Sequence, residues 1–257
     1  MKNIRTFIKI AFVSMFYILT MASCSELSLS ETELEFPAAF FETGSFVVKT
    51  DLNWEIVEQP DWVKTGKIEE NGRTIVKVTP STNRSLDSRK GKIKIQTAEK
   101  YYIVDIFQDG VHLKKESGDL GLSVEWNTCN LGATKSTDYG NYYTWDEIHN
   151  YKSNGWRLPT HKEQRELENN CVYCWGENNG VKGCYFVAKN GNYIFLPAAG
   201  DRNGTDVYNV GSLGYYWSSS ASGYYDANYL DFGSYGVDAN YCDYRGYGQS
   251  VRLVRGL

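Results

Sequence analysis

The chain has 257 residues, 27 of them Lys or Arg and 31 Asp or Glu, with a formal charge of −4; 42% are apolar and 23% charged. These fractions exclude wholesale disorder and a fibrous repeat, and they fit one large domain or two modest ones. The unusual counts are 20 Tyr and 24 Gly against 3 Met and 3 His, so tyrosine is the feature to explain.

Lys2, Arg5 and Lys9 precede an apolar run over residues 10–19. This is the pattern of a secretory leader, and the run is too short to span a bilayer. It ends in Met21-Ala22-Ser23-Cys24, which resembles a bacterial lipobox. The resemblance implies removal of residues 1–23, lipidation of Cys24, and attachment to the outer membrane or cell surface through that lipid. Losing the leader removes three positive charges and no negative ones, so −4 becomes −7. A mildly acidic mature chain has no basic footprint for nucleic acid. No later apolar stretch approaches 18 residues, so membrane attachment rests on the lipid. Residues 24–35 read as a tether.

Residues 36–110 read as short strands, with alternating runs at 45–50, 74–79, 91–97 and 102–108. Asn71-Gly72 is a hairpin signal, residues 80–88 form a polar loop, and little suggests a helix. The expectation is an all-β, immunoglobulin-like sandwich of about seven strands. Its landmarks occur in order: Trp54-Glu-Ile, Gln59-Pro60-Asp61-Trp62, Asn83, Arg89-Lys-Gly91 and Val104-Asp-Ile-Phe-Gln108-Asp-Gly110. In this order they resemble the BACON domain of Bacteroidetes surface proteins, over roughly residues 30–110. The family implies carbohydrate or mucin binding, or a spacer role. Trp54 and Trp62 read as core residues, with sugar stacking as the alternative. Residues 111–118, rich in charge, read as a linker.

From residue 119 the texture turns to Gly, Asn, Tyr and Trp. Thr144-Trp-Asp-Glu147 and Thr160-His-Lys-Glu163 each fit a capping box, and the second helix is predicted to run to about Asn170 with Leu167 inward. The remainder reads as short strands and long loops, so residues 119–257 are expected to be α+β. Seven blocks stand in order: Asp119-Leu-Gly-Leu-Ser-Val-Glu-Trp126, Cys129-Asn-Leu-Gly-Ala133, Asp138-Tyr-Gly-Asn-Tyr-Tyr-Thr-Trp145, Gly155-Trp-Arg-Leu-Pro-Thr160, Phe195-Leu-Pro-Ala-Ala-Gly200, Gly214-Tyr-Tyr-Trp-Ser-Ser219 and Ser250-Val-Arg-Leu-Val-Arg255. Together they resemble the Fibrobacter succinogenes major paralogous domain. That family is similar to the C-type lectin fold, in the branch holding formylglycine-generating enzymes and retroelement-diversified receptors.

Catalytic signatures are missing: there is no G-x-S-x-G, H-E-x-x-H, Walker loop or G-x-G-x-x-G. His112, His149 and His161 are dispersed and read as exposed. Five cysteines follow Cys24, namely Cys129, Cys171, Cys174, Cys184 and Cys242. An odd number leaves at least one thiol free or paired with another molecule. Cys171-Val-Tyr-Cys174 has redox or zinc spacing, yet no second CxxC or nearby His pair completes a site, and buried thiols or one structural disulfide are expected instead. Cys242 is the one late cysteine, and its surroundings do not resemble the formylglycine-generating active site. The chain therefore reads as non-enzymatic, without cofactor or metal.

Residues 208–247 hold ten of the twenty tyrosines, no Lys, no Glu and one Arg. Asp226-Ala-Asn-Tyr-Leu-Asp-Phe232 recurs twelve residues later as Asp238-Ala-Asn-Tyr-Cys-Asp-Tyr244, joined through Gly233-Ser-Tyr-Gly236. Tyr, Ser, Gly, Asn and Asp are the residues of antibody binding loops, and ten hydroxyl-bearing rings from one segment exceed what a domain of this size can bury. The expected ligand contacts are Tyr224, Tyr225, Asn228, Tyr229, Asp231, Tyr235, Asn240, Tyr241 and Asp243. The expected function is binding of a glycan, mucin or glycoprotein. A protein-binding adhesin or a retroelement-diversified receptor is the alternative reading, and a formylglycine-type enzyme the third.

Overall fold

The computed structural model describes residues 26–39 and 42–257; Cys24 and its lipobox lie outside the described residues. About half of the chain is strand and little is helix, so the fold is mostly β and built from several sheets.

The N-terminal unit has eight strands: β1 (Ser28–Leu29), β2 (Glu33–Phe36), β3 (Gly44–Lys49), β4 (Glu55–Glu58), β5 (Val63–Glu70), β6 (Arg73–Pro80), β7 (Arg89–Gln96) and β8 (Tyr101–Gln108). They form two sheets, β1-β3-β6-β5 and β2-β8-β7-β4. Alternation sends Phe46, Val48, Val76, Val78, Ile93, Ile95, Val104 and Ile106 into one shared, fully buried cluster. Asn71 and Gly72, with φ of 51° and 72°, close the β5–β6 hairpin as its sequence predicts. Trp54 and Trp62 pack on this core half-buried, with Lys67 and Arg89 over their outer faces at 3.8 and 4.4 Å. Gly91 lies beneath Pro60, whose Cγ would be 2.3 Å from an added Cβ; the Pro-x-Trp and Arg-x-Gly landmarks are therefore two sides of one contact. The other landmarks form a buried clasp. Asn83 donates to the carbonyls of Asp87 and Asp109, while Gln108 donates to those of Pro37 and Ser81 and accepts from Arg89 Nε at 2.8 Å.

Two expected boundaries move. Of the expected tether over 24–35, the described residues 26–35 are not a plain tether, because Leu27 is buried in the N-terminal core, β1 pairs with β3, and β2 pairs in parallel with β8. Residues 111–118 are not a free linker: β9 (Lys115–Glu116) pairs in parallel with β15 (Asn192–Pro197), and Val111 and Leu113 pack among Val172, Cys174, Tyr185, Val187 and Phe195. Ala38 and Ala39 join that cluster, and Arg84 stacks on Tyr173 at 3.9 Å. A continuous apolar junction thus ties the two halves together.

The C-terminal unit continues with β10 (Val124–Trp126), α1 (Trp145–Ile148), β11 (Lys152–Ser153), β12 (Trp156–Arg157), α2 (His161–Asn170), β13 (Val172–Asn178), β14 (Val181–Val187), then β15, β16 (Asp201–Asn203), β17 (Asp206–Tyr208), β18 (Leu213–Ser222), β19 (Asp226–Gly233), β20 (Gly236–Tyr244) and β21 (Val254–Gly256). Its sheets are β10-β21-β12-β11, β13-β14-β15-β9, β16-β17 and β18-β19-β20. Arg252, 1% exposed, stands where four of the sequence blocks meet. Its Nε bonds Asn130 Oδ1 at 2.9 Å, Nη1 bonds the carbonyls of Asn127 and Thr128, and Nη2 bonds that of Phe195. Asn130 donates onward to the Tyr216 hydroxyl, which donates to the Pro197 carbonyl.

Both capping boxes form, and α2 ends at Asn170 with Leu167 fully buried. Glu163 has two roles. It accepts from the Thr160 amide at 2.7 Å and forms a bidentate pair with Arg157 at 2.6 and 2.8 Å. Burial raises its carboxyl pKa, but the Arg157 and Thr160 bonds outweigh this and leave it below the ordinary value. A carboxyl held low in the fold contributes stability above its unfolded pKa and loses it as pH falls through the folded one. Glu163→Gln is therefore expected to cost ~1–2 kcal/mol at neutral pH. Urea melts at successive pH values should show that gap closing on acidification.

Candidate functional site

The tyrosine-rich segment forms the sheet β18-β19-β20. β19 pairs with β18 on one side and β20 on the other, and β20 is an edge. Antiparallel pairing sets the centres of the twelve-residue repeat opposite each other as Tyr229↔Tyr241, and a register shift beyond them brings Asp231 opposite Asp238. One face therefore carries three cross-strand rows: Tyr215, Asp231 and Asp238; Trp217, Tyr229 and Tyr241; Ala221, Ala227 and Asp243. The ring centroids of Tyr215 and Tyr229 are 5.8 Å apart, and Tyr229 stacks on Tyr241 at 6.2 Å. The opposite face buries Leu230, Phe232 and Ala239 in the main core, beside α2.

The nine expected contacts divide. Tyr235 (65% exposed) and Tyr241 (51%) rise from one end and the middle of the ring-bearing face. Tyr224 (81%) and Tyr225 (66%) stand in the β18–β19 turn at the other end, near the exposed Tyr244. The length of β19 puts these ends roughly 25 Å apart. Asp243 belongs to the face and is half-buried; Asn240 sits in the register shift, with its amide N–H and Nδ2 on Asp238 Oδ1 at 2.7 and 2.8 Å.

Three expectations are corrected. Tyr229 is 8% exposed because its ring packs edge-on against Trp217 in the cluster over α1. It supports Tyr241 instead of meeting a ligand. Asp231 is 6% exposed and accepts a hydrogen bond from the Tyr235 hydroxyl, so it lies at the tip of that side chain. Asn228, opposite Cys242, falls out of the alternation of the ring-bearing face. Sequence reasoning passed over Tyr215 and Asp238. Asp238 was legible as the repeat equivalent of Asp226, but its position opposite Asp231 depends on the register shift.

Electrostatically the face is negative. Burial, and then the neighbouring Asp238, push the Asp231 carboxyl above the ordinary range despite the Tyr235 bond. Burial followed by Asp201 and Asp226 does the same to Asp243. The Tyr215 phenol is pushed up to about 12 by burial and by Asp231, Asp201 and Asp243.

The five described cysteines are free. Cys171 and Cys184 face the main core while Cys174 faces the junction, so the CxxC pair straddles β13, and burial pushes Cys171 up to about 12 and Cys174 to about 11. His149 is not free in solvent as expected, because it stacks on Trp145 at 4.0 Å. Among the described residues there is no group of three or more His, Cys, Asp or Glu that could hold a metal ion, and no helix long and apolar enough to cross a membrane. Clefts of about 410 and 450 Å³ lie by Arg84 and Glu168 and by Glu42 and Arg89.

No protein-family model and no curated protein matches the sequence. Among solved structures, a GH5 xyloglucanase from Bacteroides ovatus in complex with an XXXG heptasaccharide is 14% identical with a TM-score of 0.31, over 62% of this chain and 30% of that one. A protein from Bacteroides thetaiotaomicron solved by NMR is 17% identical with a TM-score of 0.23, over 37% of this chain and 96% of that one. The chain thus spans less than a third of the xyloglucanase.

Proposed function

We propose that the chain is a non-enzymatic, lipid-anchored surface protein that binds a glycoprotein through the ring-bearing face of β18-β19-β20. In this reading Cys24 carries the lipid, the N-terminal sheets are a BACON-like, immunoglobulin-type spacer, and residues 119–257 are a C-type lectin-like binding unit. The supporting observation is the exposure of Tyr224, Tyr225, Tyr235, Tyr241 and Tyr244, between 51% and 81%, on and around one sheet. Large rings left in water by a fold that buries Tyr216 and Trp217 completely mark a contact surface. Between glycan and polypeptide, the spread of exposed rings over both ends of the sheet favours the polypeptide part, because sugar and small-molecule sites are compact and concave.

The test is an array of surface glycoproteins, each printed before and after enzymatic deglycosylation and probed with the mature chain and a Tyr235→Ser/Tyr241→Ser variant. Binding should fall at least ~10-fold in the variant, the scale expected for two interface tyrosines, measured below its melting transition because Tyr235→Ser also removes the hydrogen bond to Asp231. Signals that survive deglycosylation support a polypeptide ligand, and signals lost with the sugar support a glycan. Binding indifferent to both substitutions would move the site off this face. The double change avoids Tyr229, whose truncation opens the cluster over α1 and confounds binding with stability.

A further inference from the structure

Asp231 breaks the rule that a buried charge has a partner. One oxygen accepts from Tyr235, and the other, Oδ1, is buried with no hydrogen-bond partner among the described residues. The charge facing it across the strand pair is Asp238, of the same sign. Gln249, completely buried next to this face, likewise has an unpartnered Oε1, while its Nε2 reaches Asp243 at 3.4 Å. The segment's one arginine is committed elsewhere: Arg245 bonds the carbonyls of Asp226 and Gly223 and stacks on Trp145 at 4.2 Å. An uncompensated buried carboxylate costs several kcal/mol, and among the described residues the Tyr235 bond to one oxygen is the compensation shown. Such local violations belong to sites completed by something outside the chain.

The surrounding groups define what completes it. Tyrosine faces beside carboxylates attract organic cations, whose charge is stabilised by ring and anion together. The open, ring-studded sheet and the −7 charge of the mature chain favour a basic protein surface over a free amine.

We infer that the face receives a positively charged Lys or Arg side chain of a partner protein, held between the exposed rings of Tyr235 and Tyr241 with Asp231 and Asp238 beneath. This rests on the binding reading above and specifies its chemistry. Asp231 then acts through charge, and its burial behind the Tyr235 hydroxyl keeps it out of water until the cation arrives.

The experiment uses the mature chain and two synthetic probes, acetyl-Gly-Trp-Lys-Trp-Gly-amide and the same peptide with acetyl-lysine, followed by calorimetry and by NMR of the tyrosine rings. The charged peptide should bind about 10-fold tighter, the scale of a partly desolvated cation–π and ion contact. Asp231→Asn should abolish that preference without lowering the melting temperature, since Asn still accepts from Tyr235. Glu55→Gln/Glu58→Gln, on the exposed β4, should leave it intact and so exclude general attraction to an acidic protein. Equal binding of both peptides, or binding of neither at millimolar concentration, overturns the inference; the glycoprotein array decides the parent reading independently, because it depends on the tyrosines and not on charge. Preference for a glucosamine tetramer over both peptides overturns the assignment of the cation to a protein. A fall in melting temperature for Asp231→Asn would make its role structural and also overturn the inference.

Discussion

Arg252→Ala is expected to lose ~3–5 kcal/mol of stability, enough to lower the melting temperature by about 10 °C or more. The guanidinium is buried without a carboxylate partner, and four N–H···O bonds to Asn130, Asn127, Thr128 and Phe195 are what make its burial tolerable. Burial lowers its pKa, but a guanidinium remains charged at any pH where the fold exists. Truncation strands three carbonyls and the Asn130 side chain, each of which then pays for desolvation with no donor in return. Arg252→Lys should rescue little, because one ammonium cannot reach acceptors arranged around a planar fork. Arg255, three residues on, is the internal control. It pairs with Glu125 at 2.7 Å while 45% exposed, and Arg255→Ala should leave the denaturation midpoint nearly unchanged. Chemical denaturation of the three variants decides the matter, and equal losses at 252 and 255 would contradict this account.

The second large effect is expected on dividing the chain. A fragment of residues 119–257 omits β9, which pairs with β15, together with Val111 and Leu113. It uncovers Val172, Tyr185, Val187 and Phe195, and each newly wetted side chain forfeits ~1 kcal/mol or more. That fragment should self-associate and melt at least about 5 °C below the mature chain, while one of residues 111–257 should fall in between. Size-exclusion chromatography and scanning calorimetry on the three proteins measure this. A monomeric 119–257 fragment with an unshifted transition would show that the junction contributes nothing. The same point bears on binding studies, for which the undivided mature chain is the appropriate reagent.

What the sequence conveyed followed the range of its signals. β3, β6, β7 and β8 lie within one or two residues of their expected limits, because alternation is local and their burial is one-sided. The capping boxes were legible because Thr160 and Glu163 are three residues apart and satisfy each other. β1, β2 and β9 were not, since Ser28–Leu29 and Lys115–Glu116 carry no period, and β2 pairs with a strand seventy residues away. At the binding face, the excess of tyrosine announced the region but not the assignment of rings to surface or core. Tyr229 and Tyr241 occupy equivalent places in the repeat, yet one lies over Trp217 and the other at the sheet edge, and only the tertiary neighbours separate them.

The parallel pairing of β2 with β8 also determines how the N-terminal unit carries force. Residue 33 begins β2 and residue 108 ends β8, and the two strands run side by side, joined further by Asp105 N–H to Thr32 and Asp109 N–H to Phe36 at 2.8 and 2.9 Å. A pull applied at residues 33 and 108 runs along both strands in opposite senses and loads their hydrogen bonds in shear, together, instead of peeling them apart one at a time. The unit is built as a mechanical clamp between its two ends.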